Sequence, residues 1–256
     1  MSKKLKFINI VALLAVIFVN FLANGLPINN QSTGEISAKY PVLFTPAGYV
    51  FSIWGLIYLL LIGFVIYQAL PGQAKNTTVL NTSYFFLLSS IFNILWIFAW
   101  HFDFIGLSLI IMLALLFTLI VIYLRVNTRS NNLSFADKLF VKLPFSVYLG
   151  WISVATIANF SVFLYNINWN GWGIGAVTWT VIVIFIGTTL AIINILTRYD
   201  IAFTLVFVWA FVGIGVRHGS DLLQITAVAL FGSATIIFML LWTKFSRKTR
   251  INTQFK

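Results

Sequence analysis

Aromatic and amide side chains recur at helical spacing in three apolar stretches of the sequence. Trp54 and Tyr58 are four residues apart, and Asn93 and Trp96 are three apart, so each pair shares one helical face. Indole and phenol rings can stack on a flat ligand, and an amide can orient it by hydrogen bonding. Binding of a planar molecule is therefore the chemistry that these residue types favour.

The third stretch carries Trp151, Ala155 and Asn159 at intervals of four, again on one face. The small Ala155 leaves room beside Trp151 where a leucine would close the gap. A cavity walled by indoles, with one or two amides, suits a large, planar, apolar ligand. The structural alternative is that the aromatics are packing anchors and that the asparagines only bond neighbouring helices.

Metal binding and covalent catalysis have little support. His101 lies near Asp103, and Arg217, His218 and Asp221 lie together, but one histidine and one acid fall short of a metal set. Both groups are predicted to be capped, salt-linked turns. We find no nucleotide-binding loop and no Ser/His/Asp order, and the lack of cysteine excludes thiolate chemistry.

The composition indicates what positions these residues. The chain is 61% hydrophobic and only 8% charged, with a mean hydropathy of +1.00. Soluble domains carry about 25% charged residues, so the sequence predicts an integral membrane protein with the lipid bilayer as its partner. We expect an all-α, polytopic membrane helix bundle. Nucleic acid is not expected as a partner, despite the net charge of +11.

Eight apolar runs are long enough to cross about 30 Å of hydrocarbon. They lie near Phe7–Ala23, Gly48–Leu70, Ser83–Trp100, Ile105–Leu124, Phe140–Leu164, Gly173–Leu196, Ile201–Val216 and Leu222–Trp242. With the N-terminus inside, fourteen of the sixteen Lys and Arg residues lie on the inner side, and only Lys39 and Arg217 lie outside. This asymmetry predicts an even number of spans with both termini in the cytoplasm.

Two connecting segments are long. Gly25–Thr45 is predicted outside, irregular, and long enough to cover the outer end of the bundle as a lid. Arg125–Leu139 is predicted to be a basic inner connector, in which Ser134 and Asp137 are spaced as a capping box for the fifth span. All five acids fall at or near span ends, which argues against a proton-coupled pump.

A family resemblance follows from these motifs. Residues 143–160, LPFSVYLGWISVATIANF, resemble the fifth helix of the TspO/MBR family, the tryptophan-rich sensory proteins that include the mitochondrial translocator protein. The matching positions there are Tyr148, Leu149, Trp151, Ala155, Thr156 and Asn159. The second span is similar to the family's proline-rich helix start through Pro41, Pro46, Trp54 and Tyr58, and the third span through Asn93 and Trp96.

The chain also departs from the family pattern. Leu43 and Thr45 replace a tryptophan and a proline before the second span, and Val147 replaces a proline in the fifth. Phe160 stands where sterol-binding members have a tyrosine, and no basic residue follows until Arg198, so sterol binding is not expected there. The family core has five helices. We therefore predict a TspO-like core (1–165), three additional transmembrane helices (166–243) and a basic cytoplasmic tail (244–256).

The resemblance implies a protein of the bacterial cell membrane that binds a porphyrin or similar tetrapyrrole. Its role would be sensory, transport or ligand-degrading. The implied ligand-binding residues are Trp54, Tyr58, Asn93, Trp96, Trp151, Ala155 and Asn159. Trp54 and Trp151 match tryptophans implicated in light-dependent porphyrin breakdown in bacterial relatives, and any catalytic role would fall to them. No cofactor or metal is implied, and a homodimer is a family expectation.

A different class of function stays open, namely a transporter or permease component for a hydrophobic small molecule or peptide. It predicts that Thr188, Thr189 and Asn194 of the additional helices face a common cavity with the core. The binding hypothesis predicts that they only pack or bond between helices. A third alternative is a scaffolding membrane protein whose cavity is closed by side chains.

Overall fold

A computed structural model of the chain describes residues 2–26, 28–127 and 133–254, with side chains described as far as Ser246. The described residues contain helices and turns but no β-strand, so the predicted all-α class is confirmed. The helices are α1 (Lys3–Gly25), α2 (Thr33–Lys39), α3 (Ile53–Ala69), α4 (Thr77–His101), α5 (Ile105–Asn127), α6 (Phe135–Asp137), α7 (Leu143–Asn166), α8 (Ala176–Arg198), α9 (Ile201–His218) and α10 (Leu223–Gln254). A π-helical turn, Lys138–Lys142, joins α6 to α7.

Eight helical segments are long and apolar enough to cross a membrane, and they correspond one for one to the predicted spans. The chain is an integral, multi-pass membrane protein. The third span begins at Thr77 rather than near Ser83. The reason is a helix cap, because Asn76 Oδ1 accepts hydrogen bonds from the N–H groups of Thr78 (2.9 Å) and Val79 (3.4 Å).

Some charges used in the topology prediction lie outside the described residues. These are Arg129 in the inner connector and, in the tail, the side chains of Arg247, Lys248, Arg250 and Lys256. The backbone of the predicted tail continues α10 as far as Gln254.

The chain divides into two compact units. One consists of Met1–Val42 and Phe51–Trp169, and the other of Leu43–Val50 and Asn170–Lys256. The sequence did not predict that residues 43–50 group with the C-terminal helices. In the first unit, Phe64 packs edge-on against Phe86 and Phe145, with ring centroids 5.2 and 5.0 Å away. These contacts join α3, α4 and α7.

A buried carboxylate ties three elements of the first unit together. Ser134 caps α6 as predicted, since its Oγ accepts from the Asp137 N–H at 3.0 Å. The Asp137 carboxylate accepts hydrogen bonds from Ser134 Oγ (2.7 Å), Tyr67 Oη (3.0 Å) and Asn76 Nδ2 (2.7 Å). The start of α6, the last turn of α3 and the cap of α4 therefore meet at one acid, and all three were predicted on the inner side.

The segment predicted to be an irregular outer lid contains the helix α2. Its start is a capping box, in which Ser32 Oγ accepts from the Glu35 N–H (3.2 Å) and Glu35 Oε2 accepts from the Ser32 N–H (2.7 Å). The bond from the Ser32 backbone lowers the pKa of Glu35. Trp100 Nε1 of α4 donates to the Thr33 carbonyl at 3.3 Å. This contact holds α2 against the outer end of α4.

The end of α2 is fastened to the turn between α4 and α5. Lys39 Nζ pairs with Asp103 Oδ2 at 2.5 Å, and Tyr40 Oη donates to Asp103 Oδ1 at 3.1 Å. Burial, followed by this bond and the nearby charge, raises the pKa of Tyr40 to about 12. The tyrosine hydroxyl therefore remains a donor throughout the physiological range. The ion pair itself is exposed, so we expect it to stabilise the fold by less than about 1 kcal/mol.

Glycines let the helices of the second unit pack closely. A Cβ at Gly187 of α8 would lie 2.9 Å from Phe211 of α9. A Cβ at Gly232 of α10 would lie 2.8 Å from Thr188 Oγ1 of α8. Small residues at these crossings allow the van der Waals packing that drives helix association in membranes.

Candidate ligand site

An aromatic cluster forms where α3 faces α7. Trp54 stacks on Tyr58 with ring centroids 5.7 Å apart and planes at 18°, as their spacing of four residues predicts. Trp151 meets the Trp54 ring edge-on at 6.2 Å, and Tyr148 does so at 6.0 Å. Phe51 in turn lies edge-on to Trp151 at 5.8 Å. The structure thus brings together the sequence-predicted Trp54, Tyr58 and Trp151.

Two polar atoms of this aromatic cluster lack a hydrogen-bond partner among the described residues. They are the hydroxyl oxygen of Tyr58 and the indole nitrogen of Trp151, and both atoms are buried. A buried polar group left without a partner costs about 1 to 3 kcal/mol, so such groups in native proteins call for an explanation. A ligand with a polar group at this position would satisfy both atoms.

Asn93 is engaged with protein partners on two other helices. Its Oδ1 accepts from Asn20 Nδ2 of α1 at 2.8 Å, and its Nδ2 donates to Tyr148 Oη of α7 at 3.1 Å. All three residues are buried. This chain of bonds joins α1, α4 and α7 and holds Tyr148 beside Trp54.

Asn159 forms a second polar link between helices. Its Oδ1 accepts from Trp96 Nε1 of α4 at 3.0 Å, and its Nδ2 donates to Ser108 Oγ of α5 at 3.1 Å. The Trp96 ring stacks on Trp100, with centroids 5.6 Å apart. Asn159 and Trp96 therefore use their polar atoms to join α4, α5 and α7, whereas the Trp54/Tyr58/Trp151 cluster does not.

Ala155 lies one turn from both Trp151 and Asn159 on α7 and is half-buried. The sequence reasoning did not assign Phe51 or Tyr148 to the site. Phe51 precedes Trp54 by three residues, so helical spacing could have indicated it. Tyr148 was identified only as a position of the fifth-span motif.

The polar residues of α8 differ in exposure. Thr188 is buried and donates to the Ile184 carbonyl at 2.9 Å. Thr189 is exposed and donates to the Phe185 carbonyl at 2.9 Å, and Asn194 is half-buried. Bonds to the preceding turn satisfy both hydroxyls, as the binding hypothesis predicts for residues that pack or bond without lining a path.

The histidines and their charged neighbours contact backbone groups. His101 places its ring nitrogens 2.8 Å from the Ile97 carbonyl and 3.3 Å from the Ala23 carbonyl. Arg217 Nη1 donates to the Thr45 carbonyl at 2.9 Å, and His218 Nε2 lies 2.7 Å from the Leu43 carbonyl. Asp103 makes the predicted salt link, with Lys39, whereas Arg217 bonds to a loop carbonyl.

Comparison with known proteins gives two matches. A model of the family described as "TSPO-like protein" matches residues 6–242, which include α8, α9 and most of α10. The curated "Tryptophan-rich protein TspO" of the archaeon Archaeoglobus fulgidus is similar to this chain, with 29% identity over 161 residues. That alignment covers 61% of this chain and 95% of the relative. No solved structure matches the chain.

Proposed function

Because this chain belongs to the TSPO-like protein family, we propose that it binds a planar, hydrophobic ligand of the porphyrin class within the membrane. The ligand contacts are the rings of Trp54, Tyr58 and Trp151. The observation that carries this proposal is the aromatic cluster itself, with its two buried polar atoms that lack partners. The name of the archaeal relative agrees with a TspO-type protein and specifies no ligand.

The chemistry of the cluster suits such a ligand. Indole and phenol rings offer flat apolar faces, and aromatic pairs contribute about 0.5 to 1.5 kcal/mol beyond the area that they bury. The Trp151 N–H can donate only, whereas the Tyr58 hydroxyl can donate and accept. A porphyrin supplies both a large π face and peripheral carboxylates, and one carboxylate could accept from both residues.

The remaining predicted site residues have a supporting role in this proposal. Asn93 and Asn159 fix the relative positions of α4 and α7 by bonding to neighbouring helices. Trp96 takes part in the same linkage, and Ala155 keeps space free beside Trp151. The permease alternative loses support because Thr188 and Thr189 bond within α8 and differ in exposure.

Planarity of the ligand is the property to test. We expect the purified protein to bind protoporphyrin IX saturably in detergent. It should bind protoporphyrinogen IX, the reduced form with the same peripheral groups and a non-planar ring, at least about tenfold more weakly, since stacking is lost. Displacement of a bound porphyrin under anaerobic, dark conditions measures both affinities. Equal affinities would show that hydrophobicity alone drives binding and would contradict a stacking site.

We place the protein in a bacterial cell membrane with both termini in the cytoplasm. The charge asymmetry supports this orientation. Contacts inside the first unit also join residues predicted on one side, as for Lys6 Nζ with the Ala69 and Leu70 carbonyls (3.2 and 3.1 Å). A reporter that is active only in the cytoplasm should work when fused after Lys256. Activity of a reporter specific for the outer side would reverse the orientation.

A further inference from the structure

The helix α9 binds the segment that leads into α3. Trp209, Gly213 and Arg217 follow at intervals of four and so share one face of α9. Residues 43–50, here called the strap, belong to the same compact unit as this helix. The strap ends immediately before Phe51, which already contacts Trp151 in the aromatic cluster.

Main-chain groups along the whole strap are bound by α9. Its carbonyls accept from His218 at Leu43, from Arg217 at Thr45 and from Trp209 Nε1 at Val50, over 2.7, 2.9 and 3.0 Å. The Ala47 N–H donates to the Gly213 carbonyl at 3.0 Å. Buried backbone groups need partners, and these residues supply them where the strap has no helical bonds of its own.

Side-chain packing closes the same contact. Phe44 meets Phe211 edge-on at 6.5 Å, and Tyr49 meets Trp209 edge-on at 5.3 Å. A Cβ built at Gly213 would lie 2.1 Å from Val50 Cγ2 and 3.2 Å from Pro46 Cβ. The strap therefore fits against α9 only because residue 213 is glycine.

The aromatic cluster is closed in this structure. Trp54 is 8% exposed and Trp151 is 2% exposed, so a ligand can reach their faces only if part of the surrounding chain moves. Phe51 is continuous with the strap, and the first turn of α3 follows directly. Release of the strap from α9 would free the backbone that carries Phe51 and Trp54.

From these contacts we infer that α9 fastens the strap and thereby controls access to the aromatic cluster. Trp209, Gly213 and Arg217 are positioning residues in this arrangement, since they act through the strap. This gives the C-terminal helices a function that the five-helix core lacks. The inference concerns access, and its application to a porphyrin rests on the proposed function.

Cysteine labelling tests the inference without a ligand, because the chain has no cysteine of its own. Thr45→Cys is a suitable reporter of the strap, since the Thr45 side chain is 2% exposed and its hydroxyl has no hydrogen-bond partner among the described residues. Phe51→Cys reports on the edge of the cluster. The rate of reaction with a water-soluble maleimide in the full-length, detergent-solubilised protein measures how often each position opens.

Gly213→Ala and Gly215→Ala form a matched pair two residues apart on α9. The first places a methyl group against Val50, and the second meets only the end of the Leu230 side chain at 3.3 Å. We expect Gly213→Ala to raise both labelling rates about tenfold, since overpacking favours the released state. Gly215→Ala should leave both within about twofold, because a flexible side chain can yield.

A milder variant covers the case in which Gly213→Ala fails to fold. Trp209→Phe keeps a ring against Tyr49 but removes the N–H that binds the Val50 carbonyl. We expect it to raise labelling about threefold, the effect of losing one hydrogen bond. Unchanged labelling at Thr45→Cys in this variant and in folded Gly213→Ala would overturn the strap. Faster labelling at Thr45→Cys alone, with Phe51→Cys unaffected, would overturn control of access.

The association rate of protoporphyrin IX then connects the strap to the ligand. Without added cysteines, Gly213→Ala should bind the porphyrin at least about fivefold faster than wild type or Gly215→Ala, because opening precedes binding. An unchanged association rate, together with faster labelling, would mean that the ligand uses another route and would contradict the inference. If wild type binds no porphyrin, the proposed function fails, and the two labelling rates alone decide on the strap.

Discussion

Replacing Asp137 by alanine is expected to produce the largest loss of stability, about 3 kcal/mol, since hydrogen bonds to a charged group contribute about 1.5 to 3 kcal/mol each. The carboxylate accepts from Ser134, Tyr67 and Asn76 at one nearly buried point. Its removal leaves three donors without their acceptor. The apparent melting temperature in detergent should fall by roughly 6 to 12 °C, at 2 to 4 °C per kcal/mol for a chain of this size.

Asp221→Ala is the matched control for this prediction. Asp221 is exposed, and its carboxylate has no hydrogen bond or ion pair among the described residues. We therefore expect its melting temperature to stay within about 1 °C of wild type, as for most surface substitutions. Asp137→Asn should fall between the two, because it keeps one acceptor oxygen but turns a donor toward other donors. Equal melting temperatures for both alanine variants would contradict a stabilising role for Asp137.

The second large effect concerns ligand affinity. The double substitution Trp54→Phe/Trp151→Phe removes both indoles from the aromatic cluster and with them the unpartnered Trp151 N–H. Each indole lost should weaken porphyrin binding by about 0.7 to 1.5 kcal/mol, so the dissociation constant should rise at least about tenfold. Equilibrium titration of the porphyrin Soret absorbance measures this change.

A matched control separates this effect from a general loss of tryptophan. Trp172 and Trp242 are 76% and 61% exposed and lie in the second unit, outside the aromatic cluster. Trp172→Phe/Trp242→Phe should leave the dissociation constant within about twofold, because removing exposed surface groups changes little. Melting temperatures of both double variants show that each compared protein is folded.

Hydropathy and charge were sufficient to predict the spans, because an apolar run of bilayer length has no other stable location than the membrane. Helix ends required capping signals as well. Asn76 moved the start of α4 toward the N-terminus. The Ser32-x-x-Glu35 capping box marks α2, and recognising it would have corrected the prediction of an irregular lid.

The roles of individual polar side chains could not be read from spacing alone. Asn93 and Trp151 both lie on faces that could contact a ligand, yet Asn93 is bonded to Asn20 and Tyr148, whereas the Trp151 N–H has no partner among the described residues. The difference depends on which helices are neighbours. Sequence periodicity shows the direction of a face but does not identify what lies opposite.

The strap was unpredictable for a related reason. Trp209 binds a carbonyl 159 residues earlier in the chain, and His218 contacts one 175 residues earlier. Nothing in the local pattern of α9 pairs it with an extended segment before α3. The sequence suggested only that Arg217 and His218 form a turn. Their bonds to loop carbonyls became visible when tertiary structure brought the two segments together.

The most direct test of the central claim is quenching of tryptophan emission by protoporphyrin IX in darkness. Wild type and the Trp172→Phe/Trp242→Phe control should both show saturable quenching with similar midpoints. Trp54→Phe/Trp151→Phe should show a midpoint at least about tenfold higher, since the stacking faces are gone. Absence of saturable quenching in wild type, or an unchanged midpoint in the folded Trp54→Phe/Trp151→Phe protein, would contradict a porphyrin site between α3 and α7.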